Sequence, residues 1–140
     1  MSDINIDNKA YKKKILLTGG AGYIGSHVAV TLLESGFDIV IADNLSNSSE
    51  ESLSGIRKIT GRDFPFYNID VCDKSLLVDL FEREELDAAI HLAGYKAVGD
   101  AVKSPLKYYR NNIASTTSLL EVMDNYGVRK IILSSSANVY

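Results

Sequence analysis

The sequence predicts an α/β domain built on a doubly wound parallel sheet of strand order 3-2-1-4-5, and three observations carry that prediction. Five short apolar runs alternate with four longer segments of helical periodicity. A glycine-rich stretch, Thr18 to Gly25, joins the first run to the first helix. Pro65 falls inside the third run, and proline is tolerated only where no ladder hydrogen bond is needed, so that strand belongs at an edge. Strictly alternating elements imply parallel strands, right-handed crossovers and helices on both faces.

Taken in order, the strands are expected at Lys14 to Thr18, Asp38 to Ala42, Phe64 to Tyr67, Ala88 to Leu92 and Lys130 to Ser134. The helices are expected at Tyr23 to Ser35, Ser49 to Thr60, Lys74 to Glu85 and Pro105 to Tyr126. Gly36, Gly61 and Gly127 stand where left-handed helix ends belong, and Ser104-Pro105 reads as a hydroxyl N-cap before a first-turn proline. On the last helix, Leu106, Tyr109, Ile113, Leu120 and Met123 form an apolar stripe expected to face the core. A second stripe, Tyr108, Leu119, Val122 and Tyr126, suggests either a broad core face or contact with another helix or subunit.

At 140 residues, 46% hydrophobic and 24% charged, the chain is of ordinary globular composition. A domain of this size buries roughly 68% of its unfolded surface and needs no covalent staples. A formal charge of -3, with Lys12-Lys13-Lys14 as the sole basic block, argues against nucleic acid as a partner. Cys72 is the single cysteine and there are two histidines, which excludes an internal disulfide and a structural zinc site and fits a reducing, cytoplasmic setting. Residues 1–13 read as a polar lead-in rather than a signal peptide, and residues 14–140 as one nucleotide-binding domain. No apolar stretch approaches the ~20 residues of a membrane span.

The strongest chemical signal is the glycine turn, which can be read as Gly20-x-Gly22-x-x-Gly25 or as Gly19-x-x-Gly22-x-x-Gly25. Glycines at these positions let the chain turn sharply, let a pyrophosphate approach the backbone and let the helix pack on the sheet. The helix N-terminus offers unpaired N–H groups to the phosphates. No Lys-Ser or Lys-Thr follows, so the turn is not a P-loop. Asp43 ends the second strand eighteen positions after Gly25, where a carboxylate can accept from adenosine ribose hydroxyls. The following loop, Asn44-Leu45-Ser46-Asn47-Ser48, carries no Arg and is counted with the same site, so NAD is favoured over NADP. Asp70-Val71 follows the third strand, where an acid could meet the adenine amino group or simply cap the next helix. Leu92-Ala93-Gly94 ends the fourth strand in small residues that let a cofactor lie across the strand tips, with Lys96 placed to meet a phosphate or ribose.

These residues resemble the amino-terminal part of the UDP-glucose 4-epimerases, a family of extended short-chain dehydrogenases/reductases with a Rossmann-like fold. The resembling stretches are Thr18 to His27, Asp43-Asn44-Leu45, His91 to Gly99, Pro105 to Asn112 and Ser134 to Tyr140. Lys96-Ala97-Val98-Gly99 and the serine run are the more specific of these. The resemblance implies that tightly held NAD oxidises C4 of a UDP-hexose, which then takes the hydride back on its other face. By the same resemblance, Ser136 would help hold the reacting hydroxyl, and Tyr23, Ile24, Asp43, Asn44, Asp70, Val71, Lys96 and Asn111 match cofactor contacts.

In the family a Tyr-x-x-x-Lys pair removes the hydroxyl proton, and subunits pair through the Pro105 helix and the Tyr-x-x-x-Lys helix into a homodimer. The sequence ends at Tyr140, before the stretch where the family carries that pair, its last strands and its UDP-sugar domain. Tyr126-Gly127-Val128-Arg129-Lys130 fits the spacing but is a decoy, because Gly127 ends the helix that the pair would need. The 140 residues alone are therefore expected to be inactive, since a missing general base costs on the order of 10²- to 10⁴-fold. Tyr95 and Asn138 depart from the leucine and threonine common in the family. Dehydratases of the same scaffold carry Asp-Glu where this chain has Ala137 and Asn138. The alternative class is a nucleotide-binding module without catalysis. His27 and His91 are read as structural residues, Cys72 as buried or half-buried, and Glu82 to Glu85 as a solvated helix face.

Overall fold

The computed structural model describes residues 12–94 and 98–135. Its elements are β1 (Lys14–Thr18), α1 (Tyr23–Glu34), β2 (Asp38–Asp43), α2 (Glu50–Thr60) and β3 (Phe66–Asn68). They continue as α3 (Lys74–Arg83), β4 (Ala88–His91), α4 (Val98–Lys103), α5 (Pro105–Asn125) and β5 (Ile131–Leu133). The strands form one parallel sheet in the order β3-β2-β1-β4-β5. Thr18 at the end of β1 is in register with Ala42 of β2 and His91 of β4, so the carboxyl ends of the three central strands are level.

Alternation along the strands sorts side chains into two cores. Leu17, Ile39 and Ile41 pack with Ala29 and Leu33 of α1 and with Leu53 and Ile56 of α2. Leu16, Val40, Ala42 and Ala89 point the other way, onto Leu77, Leu80 and Phe81 of α3 and Leu119, Val122 and Met123 of α5. Burial on both faces is why these strands read as continuous apolar runs.

Several sequence expectations need correction. Pro65 precedes β3 instead of lying within it; its carbonyl accepts from the Ile41 amide at 3.0 Å, and β3 is the edge strand. The short helix α4 was not foreseen. Ser104 precedes α5, but its side chain makes no capping bond, and its carbonyl accepts from the Lys107 and Tyr108 amides instead. Asp73 is the residue that caps α3, accepting from the Ser75 and Leu76 amides. Helix α3 ends at Arg83, and Glu84 is not part of a solvated face: its carboxylate accepts from Lys14 Nζ at 3.1 Å and Tyr67 OH at 2.9 Å.

The largest correction concerns α5. The stripe expected to face the core is mostly outside: Leu106 and Tyr109 are 69% exposed, Ile113 and Leu120 44%. Met123 alone of that stripe is buried, together with Leu119, Val122 and Ser115. Helical periodicity identifies stripes, whereas the position of α3 and the sheet chooses between them.

Candidate functional site

The cleft at the carboxyl ends of the strands begins at the β1–α1 turn. Gly19 has φ +70°, and a Cβ there would stand 2.7 Å from the Ala93 backbone nitrogen. A Cβ on Gly25 would run into the Gly19 carbonyl oxygen and lie 2.7 Å from Gly20 Cα. At Gly22 only the Gly19 carbonyl oxygen is near, at 3.3 Å, so a side chain there would enter the cleft. The working register is therefore Gly19-x-x-Gly22-x-x-Gly25, with Gly20 packed on the Ile41 side chain. Gly22 is the N-cap of α1 and supplies no side-chain cap, which leaves the first-turn amides without partners inside the helix.

On the next wall stands Asp43, 9% exposed. Its carboxylate accepts from the Ala21 amide at 3.1 Å, the Leu45 amide at 2.9 Å and the Ser48 hydroxyl at 3.0 Å. A carboxylate has about four acceptor positions, so roughly one remains for a ligand. Asp43 thus ties the glycine turn to the β2–α2 loop before it meets anything else. Asn44, Ser46, Asn47 and Ser48 line the same side. Leu45 takes a left-handed conformation at φ 57°, and its half-buried side chain packs on the α1/α2 core instead of the cleft.

Asp70 and Val71 close the floor beyond β3; Asp70 accepts from the Cys72 amide at 2.9 Å. Leu92, Ala93 and Gly94 come from β4, and Asn111 from α5. The cleft also takes in Ile69 and Ser115, which the sequence reading missed. Ile69 directly precedes Asp70, and Ser115 lies one helical turn beyond Asn111 on the same face, a signal that the i, i+4 rule could have supplied. Among the described residues, no Lys or Arg lines the cleft.

Besides Leu45, three expected contacts are placed differently. The Tyr23 and Ile24 side chains are exposed on the outside of α1, where Tyr23 packs edge-on against His27 with ring centroids 5.0 Å apart. Gly25 is buried beneath the turn. What Tyr23, Ile24 and Gly25 can offer a ligand is backbone. Lys96 and Ser136, with Tyr95 and Asn138, lie outside the described residues.

Cys72, beside the floor, is half-buried with its thiol 3.6 Å from the Asn111 carbonyl oxygen. Burial, then the Asp70 charge, pushes its pKa up to about 11, so it is a poor nucleophile at neutral pH. His91 is buried and hydrogen-bonded on both ring nitrogens. Tyr126 caps α5 and donates to Glu82 at 3.2 Å, Gly127 is left-handed, and the Lys130 carbonyl accepts from Ala89 at the start of β5. Tyr126 and Lys130 share no helix and cannot act as a one-turn pair.

A glycine turn packed on the sheet, an uncapped helix N-terminus and a second-strand acid define a Rossmann-like nucleotide-binding fold. Residues 15–140 match the model of the NAD dependent epimerase/dehydratase family, and the chain belongs to that family. It is 56% identical over 126 residues to the UDP-glucose 4-epimerase of Bacillus subtilis and 50% over 127 residues to that of Dictyostelium discoideum. Those matches cover 90% and 91% of this chain but 37% of each relative's length. The crystal structure of the Bifidobacterium longum UDP-glucose 4-epimerase in complex with NAD+ and UDP superposes with a TM-score of 0.90 at 45% identity, over 91% of this chain and 38% of that one.

Proposed function

We propose that this chain is the NAD-binding part of a UDP-glucose 4-epimerase, which interconverts UDP-glucose and UDP-galactose through a transient 4-keto sugar. The observation that carries this reading is the continuous cleft from the glycine turn through Asp43 to Ala93 and Asn111, in a chain 56% identical to such an epimerase. NAD, when bound, supplies the hydride acceptor for the sugar C4. The residues present suit it. First-turn amides of α1 would hold the diphosphate, and Gly22 leaves it room. The remaining acceptor position of Asp43 would take a ribose hydroxyl, and the absence of Lys or Arg from the described lining disfavours a 2′-phosphate. Asp70 would meet the adenine, Lys96 would meet a phosphate or ribose of the cofactor, and Ser136 would help hold the sugar hydroxyl, as the family resemblance implies.

The 140 residues alone would bind NAD without turning over sugar, because their one Tyr-x-x-x-Lys spacing is broken by Gly127. A single cysteine is in keeping with a reducing, cytoplasmic setting, and no helix among the described residues is long and apolar enough to cross a membrane. Pairing of two copies through α5 is supported by its exposed Leu106, Tyr109, Ile113 and Leu120.

Native mass spectrometry of the chain with NAD and with NADP, alongside a UDP-galactose turnover assay, tests this reading. One NAD per chain, weaker NADP binding and no turnover are expected. Absence of NAD binding at millimolar cofactor would refute the cleft assignment, and measurable turnover would refute the inactivity.

A further inference from the structure

The imidazole of His91 takes no part in the function just proposed. It is 3% exposed, on β4 below the cleft, between Thr18 of β1 and Thr116 of α5. Thr18 Oγ1 is 2.7 Å from His91 Nδ1, and Thr116 Oγ1 is 3.2 Å from Nε2. Each hydroxyl has a second bond whose direction is fixed by chemistry. The Ala93 amide can only donate, and it donates to Thr18 Oγ1 at 3.3 Å. The Asn112 carbonyl can only accept, and it accepts from Thr116 Oγ1 at 2.9 Å. A hydroxyl has one proton to give. With Thr116's proton committed to the carbonyl, its oxygen accepts from the imidazole, which requires Nε2–H. A neutral ring with Nε2–H has a bare Nδ1, and the Thr18 hydroxyl, accepting from the Ala93 amide, keeps its proton to donate there. The Thr116 end selects the ring form and the Thr18 end accommodates it; a histidine tautomer is assigned from such partners.

We propose that His91 is a positioning residue of the cofactor cleft: as the Nε2–H tautomer it carries a directed hydrogen-bond chain from the Ala93 amide through Thr18 and Thr116 to α5. Ala93 and Gly94 form one wall of the cleft, and Asn111 and Ser115, flanking Asn112 on α5, form the facing one. The walls approach closely because Gly94 has no side chain, a Cβ there standing 3.0 Å from Asn112 Oδ1. Separation is opposed by the chain through His91. A doubly wound fold divides into two mononucleotide halves about its switch point, and this wall belongs to the half opposite Asp43. The positioning role rests on the NAD-binding reading, whereas the tautomer does not.

Long-range proton–nitrogen NMR of the imidazoles, with a His27→Asn variant to separate the two histidines, reads the ring form. A protonated Nε2 and bare Nδ1 on His91 are expected; a proton on Nδ1 overturns the chain. Calorimetric titration of Thr116→Val with NAD and with AMP then reads the positioning. The NAD Kd should rise about 3- to 10-fold, the worth of one hydrogen bond, with the AMP Kd changed by less than about twofold. Thr116→Ser should restore NAD affinity. Equal losses for both ligands, or none for NAD, overturn the role. Unaltered protein that binds neither ligand refutes the NAD reading and the positioning role together, while the ring form stands or falls on the NMR alone.

Discussion

The β1–α1 turn and helix α5 border the same cleft but are held by different kinds of constraint. At the turn, backbone meets backbone: Gly19 lies against Leu92 and Ala93, and Gly25 against Gly19 and Gly20. At these two glycines no flexible side chain is there to give way. Helix α5 is seated by apolar burial, with Leu119 and Val122 fully enclosed by α3 and the sheet, while its neighbouring apolar positions face outward. One wall is fixed by sterics over a few residues. The other is fixed by non-directional burial, which tolerates change outside a narrow contact strip.

The sharpest way to break this comparison is at Gly25. Gly25→Val should cost at least about 3 kcal/mol in urea denaturation, because the added carbons meet backbone that cannot move aside. Gly22→Ala should cost much less, on the order of 1 kcal/mol from the poorer N-cap, yet weaken NAD binding, since its methyl would enter the cleft. Equal stability losses in the two variants would contradict the assignment of their roles.

Along α5 the contrast lies between adjacent residues. Leu119→Ala should cost about 2–5 kcal/mol and Leu120→Ala less than about 1 kcal/mol, as read by thermal or chemical unfolding. A reversed order would mean that the helix is rotated about its axis.

The smallest effect concerns the helix starts. The Ser75 hydroxyl, then the Leu76 amide, holds the Asp73 carboxyl below its ordinary 3.8. A lowered carboxyl pKa gives stability that is present above the unfolded value and is lost as pH falls through the folded one. Asp73→Ala should therefore lower the denaturation midpoint at neutral pH, with the difference closing as the pH drops below the ordinary carboxyl range. Ser104→Ala should change little at either pH, because its side chain makes no capping bond.

Much of the cleft was legible in the chain. Gly19, Gly22, Asp43, Asp70 and Ala93 come together as their spacing implies, because each lies at or just past a strand end and the parallel sheet levels those ends. Tyr23 and Ile24 were legible as positions, but the direction of their side chains was not, since that follows from the helix rotation that buries Ala29 and Leu33. Ser115 was overlooked because it resembles any other helical serine until α5 is laid against β4.

The amino-acid sequence by itself determined the glycine turn and, α4 apart, the succession of elements, because each depends on sterics and periodicity within a few consecutive residues. Only the tertiary structure decided which stripe of α5 is buried, that Asp43 spends most of its acceptor capacity inside the protein, and that His91 joins Thr18 to Thr116. Those outcomes depend on partners far apart in the chain, Ala21 and Asp43 separated by 22 positions and Thr18 and His91 by 73. Local patterning limits which side chains are available for such contacts, and packing of the whole sheet selects among them.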